Sequence, residues 1–174
     1  MKHSYTPIFI PAALCALLAG ALPASLQAQV QHCADGMRPI ADGRLQRAID
    51  QLKTTNPTLE FQPDEHPCQH AKDTILAVST TLGRNYLTRL SGYEFVKVIN
   101  GEWYFTIERF NSRVPADLTK LDAALKRRTP RKLAIEANTS YDVFVVGESL
   151  VLMTSSGVGY DANSKLFHQI QQTF

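Results

Sequence analysis

Tyr93-Glu94-Phe95-Val96-Lys97-Val98-Ile99-Asn100-Gly101-Glu102-Trp103-Tyr104-Phe105-Thr106-Ile107-Glu108-Arg109-Phe110 is the stretch that decides the fold of this chain. Its apolar residues recur with period two on either side of Asn100-Gly101, a pair that favours a tight hairpin turn. The pattern predicts strands over 93–99 and 102–110. Trp103, Phe105 and Ile107 then share a buried face with Val96 and Val98.

On the N-terminal side the period is helical. Leu45, Ala48, Ile49 and Leu52 predict a helix over 43–54, with Asp42 placed to cap it. Three prolines make 56–67 a loop. Ala71, Ile75, Val78, Leu82 and Tyr86 predict a helix from 69 towards 90, with Gly83 as a point of interruption.

On the C-terminal side, Leu118, Leu121 and Leu125 predict a helix over 115–127 that opens on Pro115. Strands follow at 132–137, 141–146 and 149–154, the last two joined by Gly147-Glu148. Val151-Leu152-Met153 is apolar without alternation, as in a central strand buried on both sides. A glycine-rich loop over 155–159 leads to a final helix over about 162–172. The order is α-α-β-β-α-β-β-β-α. It predicts an α+β fold, an antiparallel sheet of about five strands with helices packed on one face.

The chain has 174 residues, 20% of them charged, with a net charge of +2. That length suits one domain, and that charge is too small for an electrostatic nucleic-acid binder. Residues 1–28 have the order of an export signal: Lys2, an apolar run from Ile8 to Leu22, then small residues up to Ala28. Residues 29–174 are then a single periplasmic or secreted domain. Loss of Lys2 brings the net charge from +2 to +1.

Cys15 leaves with the leader, so Cys33 and Cys68 remain as an even pair in an oxidising compartment. A disulfide between them closes a loop of about 35 residues, worth roughly 3–4 kcal/mol on a chain-entropy model. The alternative is a metal site built from His32, Cys33, His66, Cys68 and His70, whose spacing matches no established zinc pattern.

No nucleophile elbow and no Ser-x-x-Lys pair is present, and Gly157-Val158-Gly159 lacks the third glycine of a dinucleotide fingerprint. These residues point to no catalytic constellation and no cofactor. Lys126-Arg127-Arg128-Thr129-Pro130-Arg131-Lys132 carries five cations in seven positions. Outside the cytoplasm such a run suits phospholipid, lipopolysaccharide phosphate or an acidic protein surface. It also suits a solvated helix end.

Ser156-Gly157-Val158-Gly159-Tyr160, with Phe167 beyond it, resembles the Ser-Gly-x-x-Tyr signature of bacterial periplasmic inhibitors of C-type lysozyme. In that family the signature lies on an exposed loop after a strand. The resemblance implies that Ser156 and Tyr160 enter the enzyme's cleft and that Gly157 permits the close approach. The function expected is inhibition of, or immunity to, an envelope-attacking hydrolase or toxin by occlusion of its active site. The alternative is an accessory subunit of an envelope secretion or pilus assembly, using the basic run or a sheet edge.

Overall fold

The computed structural model describes residues 37–63, 65–83, 90–133 and 139–174. The expected leader, His32 and Cys33 lie outside the described residues. The elements are β1 (Arg38–Pro39), α1 (Arg44–Thr55), β2 (Glu60–Pro63), α2 (Pro67–Leu82), β3 (Leu90–Asn100), β4 (Trp103–Ser112), α3 (Pro115–Lys126), β5 (Thr139–Val146), β6 (Ser149–Ser156) and α4 (Gly157–Thr173). No described helix is long and apolar enough to cross a membrane.

The fold is α+β, with four helices and a sheet of six strands among the described residues. The sheet runs β1-β3-β4-β6-β5, and β2 also pairs with β3. It is mixed rather than antiparallel, because β1 runs parallel to β3 at Gly92 and Tyr93. β2 pairs antiparallel with β3 further along, Glu60 opposite Ile99 and Pro63 opposite Val96. The segment over 56–67 was expected to be loop because of its prolines. An edge strand tolerates proline, since only one of its sides donates to the ladder.

The helices cover both faces of the sheet, not one. Ala71 and Val78 of α2 and Leu118, Leu121 and Leu125 of α3 pack with Tyr93, Phe110, Val143, Leu150 and Leu152. Leu45, Ile49 and Leu52 of α1 and Leu166, Phe167 and Ile170 of α4 pack with Val96, Val98, Phe105, Ile107, Val151 and Met153. β6 explains why. It is a central strand, and Ser149 through Ser155 are all buried. Leu150 and Leu152 face one layer while Val151 and Met153 face the other. Apolar side chains on both faces of a strand require a layer on each.

Both hairpins close on a two-residue Gly-Glu turn. Asn100 pairs with Trp103 across Gly101-Glu102, and Val146 pairs with Ser149 across Gly147-Glu148. The first turn is therefore displaced by one residue from the expected Asn100-Gly101. A turn centred on Asn-Gly needs positive φ at both residues, whereas a Gly-first turn asks it of glycine alone. Gly101 has φ 62° and Gly147 φ 57°, and no other residue type has positive φ among those described. Space around Gly101 is open, so an added Cβ meets only the backbone penalty. Gly101→Ala is expected to lower stability by about 1 kcal/mol, read from the urea midpoint.

Three helix boundaries differ from expectation. α2 ends at Leu82 because Gly83 closes it in the left-handed conformation, φ 63°. Residues 84–89 lie outside the described set, and Leu90 opens β3. Asp42 does accept a hydrogen bond from the Arg44 N–H, but Gly43 holds the boundary position of α1. No loop separates β6 from α4: strand passes to helix between Ser156 and Gly157. The strand expected over 132–137 survives as one bridge, Lys132 to Ser140, and residues 134–138 are outside the described set.

Candidate functional site

The sheet face beneath α2 and α3 changes character along its length. Strand register sets four-residue rows across β3, β4, β6 and β5. Tyr93, Phe110, Leu150 and Val145 make an apolar row. Phe95, Glu108, Leu152 and Val143 make the next. Lys97, Thr106, Thr154 and Tyr141 make a polar third. Tyr104, Ser156 and Thr139 lie beyond it at the open end. Exposure rises in the same direction on β4: Phe110 and Glu108 are buried, Thr106 is half-buried, and Tyr104 is 50% exposed.

Glu108 sits where the two halves meet, 3% exposed. The Tyr93 hydroxyl donates to its Oε2 at 3.0 Å, and the Thr106 hydroxyl lies 3.5 Å from its Oε1. Thr106 Oγ1 and Thr154 Oγ1 are 2.7 Å apart. A hydrogen-bonded chain thus runs from β3 through the carboxyl to β6. Burial pushes the Glu108 carboxyl up to about 7; the hydroxyls of Thr74, Tyr93 and Thr106 and the nearby His70 pull the other way. On the rim, His70 stacks on Phe95 at 4.9 Å, and the Lys97 ammonium lies 4.5 Å from the Tyr104 ring centre.

A second polar cluster lies on the opposite face, against α1. Arg109 is buried among apolar neighbours and donates to both carboxylate oxygens of Asp42. Its Nη1 also reaches Glu94 Oε2 at 3.1 Å, and its Nε donates to the Ser149 hydroxyl at 2.9 Å. Arg109 here meets two carboxyls, and Arg44 Nε lies 3.6 Å from Asp42 as well. The Arg109 hydrogen bonds hold Asp42 well below the usual carboxylate range. Glu94 is the one left to protonate: burial and the Asp42 charge push it up to about 7 against the pull of Arg109. The cluster ties the start of α1 to β3, β4 and β6, a structural task.

The residues singled out by the lysozyme-inhibitor resemblance are not on a loop. Ser156 is exposed at the last position of β6, Gly157 is the first residue of α4, and Tyr160 lies in the first turn of that helix. By register Ser156 belongs to the α2/α3 face. Tyr160 packs in the opposite layer, edge-on to Phe167 at 5.5 Å. Burial raises its phenol above the ordinary range. The two side chains therefore belong to different layers.

Ser156 has other neighbours at that end. Ser155 Oγ donates to the Tyr104 carbonyl at 3.0 Å, which ties the end of β6 to the start of β4. A Cβ at Gly159 would lie 3.1 Å from Ser156 Oγ and 3.6 Å from the Trp103 ring. Trp103, 37% exposed, and Tyr104 are, with Leu76, the large hydrophobics in the open among the described residues. Trp103 was expected on the buried face. It keeps the register of Phe105 and Ile107 but stands at the strand end, beside the hairpin turn, where it is partly exposed.

The basic run reaches the same end of the sheet. Lys132 bridges Ser140, which pairs with Ser155. The charges of Arg128 and Arg131 act on Tyr141, and that of Arg131 also acts on Tyr160. His32 of the alternative metal site lies outside the described residues. Cys68 is disulfide-bonded, so its sulfur is no free thiolate; its expected partner Cys33 lies outside the described residues. Among the described residues no group of three His, Cys, Asp or Glu side chains could hold a metal ion.

Glu108, Thr106, Thr154 and Tyr104 are the residues that sequence reasoning missed. A signal existed: Thr106 and Glu108 are polar at alternate positions of β4, on the face whose next member is Phe110. Comparison with family models, with curated proteins and with solved structures gave no match.

Proposed function

We propose that this chain is an exported binding protein that inhibits, or confers immunity to, an envelope-attacking hydrolase or toxin by seating one end of its sheet in that enzyme's active site. The observation that carries this reading is the open end of the sheet, where Ser156 lies in the same row as the exposed Tyr104 and the exposed Trp103 stands next to Tyr104 on the other face. Exposed Trp and Tyr are the side chains that most often anchor a protein interface, and a rigid strand end holds them without an ordering cost. Ser156 supplies a hydroxyl to the rim of that patch.

The reading makes a graded prediction. The exported protein is titrated against C-type lysozyme, the first enzyme to try, and residual activity is measured. Trp103→Ala and Tyr104→Ala are each expected to weaken inhibition by about 10–30-fold, as for interface anchors worth roughly 1.5–2 kcal/mol. Ser156→Ala is expected to weaken it less, and Tyr160→Phe to leave it unchanged. Undiminished inhibition by a folded Trp103→Ala/Tyr104→Ala double variant would remove this end of the sheet from the mechanism. Full lysozyme activity at a large excess of the native protein would exclude that enzyme as the target.

A further inference from the structure

The basic run is more than a complement to the end of a helix. A helix C-terminus carries the equivalent of roughly half a negative charge, which one cation answers. Here five cations follow one another from the last residue of α3 to the bridge with β5. Two of them are paired. Lys126 Nζ lies 2.9 Å from Asp122, and Arg131 Nη1 lies 3.0 Å from Asp142. In both pairs the acid is the more buried member and the cation faces outward. Beyond these pairs stand Arg127, Arg128 and Lys132, all exposed. Arg127 is braced by its Nε bond to the Ala123 carbonyl at 3.0 Å.

We propose that this end of the molecule, through Arg127, Arg128 and Lys132, seats the protein on an anionic phospholipid surface. The composition of the patch selects this occupant. A protein interface is built around apolar or aromatic anchors and is depleted in lysine at its centre. Between these cations lie only Thr129 and Pro130, both exposed, and no large apolar side chain. Charges without an apolar centre match a plane of phosphates, where each exposed cation adds about 1 kcal/mol, a factor of about five in partitioning. Three such cations give about a hundred-fold. The attraction acts over about one Debye length and is lost in high salt. Asp122 and Asp142 are each matched by one cation of the run, which leaves Arg127, Arg128 and Lys132 as its net charge.

The test is sedimentation of the exported, processed protein with vesicles. One set is equimolar phosphatidylglycerol and phosphatidylcholine; the other is phosphatidylcholine alone. Binding to the anionic set at low salt and release at high salt are expected, with no binding to the neutral set. Arg128→Glu/Lys132→Glu is expected to lose at least ten-fold, and Lys165→Glu, an exposed cation on α4, is expected to lose none. Soluble poly-L-glutamate serves as a competitor for an acidic protein surface. Failure of the native protein to bind anionic vesicles, equal binding to neutral ones, an equal loss in Lys165→Glu, or stronger binding to poly-L-glutamate than to vesicles would each overturn the proposal. Inhibition of an enzyme in free solution does not pass through this patch. The charge-reversed variant therefore keeps it if both readings hold.

Discussion

Arg109→Met is expected to destabilise the domain by about 3–5 kcal/mol and to lower its melting temperature by about 10 °C. The side chain is 1% exposed. Its guanidinium spans both oxygens of Asp42, one of Glu94 and the Ser149 hydroxyl. Methionine fills much of the same volume but leaves the Glu94 carboxyl without its cation and Asp42 with only the half-exposed Arg44, 3.6 Å away. That uncompensated charge, not the lost hydrogen bonds alone, sets the size of the effect. Arg109→Lys is expected to recover only part of it, because an ammonium cannot reproduce the planar fork that Asp42 accepts. The deficit has a pH signature. Glu94 already titrates at about 7, and without Arg109 it protonates more readily still. The loss is therefore larger at pH 8 than at pH 5. Chemical denaturation at both values checks this, and a deficit under about 1 kcal/mol at pH 8 would sink the account.

Glu108 governs the second large effect. Its carboxyl titrates at about 7 in the folded protein and near 4.5 when unfolded. A raised carboxyl pKa means that the folded state holds the proton more tightly. Its contribution to stability is fully present below about 4.5 and is lost as the pH rises through 7. Between pH 5 and pH 8 the loss from this residue alone is about 2–3 kcal/mol. Glu94 adds to the same slope, since its pKa moves in the same direction. Glu108→Gln keeps the shape and an acceptor for Tyr93 but carries no charge at any pH. The variant is expected to be more stable than the native protein at pH 8 by about 2 kcal/mol and no more stable at pH 5. Its pH slope is roughly halved. A native protein equally stable at both pH values would contradict a buried, titrating carboxyl between α2 and the sheet.

Much of the architecture was legible in the one-dimensional pattern. Leu45, Ala48, Ile49 and Leu52 are the buried stripe of α1, as their spacing requires. Leu118, Leu121 and Leu125 are that of α3. Val96 and Val98 face Phe105 and Ile107 across the first hairpin. The two-face burial of β6 was visible as well, and it already implied the second helical layer that the one-face arrangement omitted. The pattern could not reveal β1 and β2. Two to four residues paired to the edge of β3 carry no periodicity of their own.

The candidate site was only half legible. Ser156, Gly157 and Tyr160 stood out as a short motif, and the basic run stood out by charge alone. That they lie near one end of the sheet follows from the pairing of β4, β5 and β6, which sets Phe105 opposite Ser155, 50 positions away, and Ser155 opposite Ser140. Glycines at 157 and 159 suggested a loop. The segment became helix because packing of Phe167 and Ile170 on the sheet outweighs the cost of two glycines in the first turn.

The sequence by itself determined the buried stripes of α1 and α3, the apolar face inside the first hairpin, and both hairpin turns to within a residue. These are local matters: side-chain periodicity and the freedom of glycine act over a few positions. Only the tertiary structure decided which helices cover each side of the sheet, that Glu108 of β4 is enclosed beneath α2, and that Arg109 is held by Asp42 some 67 positions away. Such contacts depend on which strands lie side by side. Strand order is set by the summed burial of both layers, a property of the whole domain that no single stretch of it encodes.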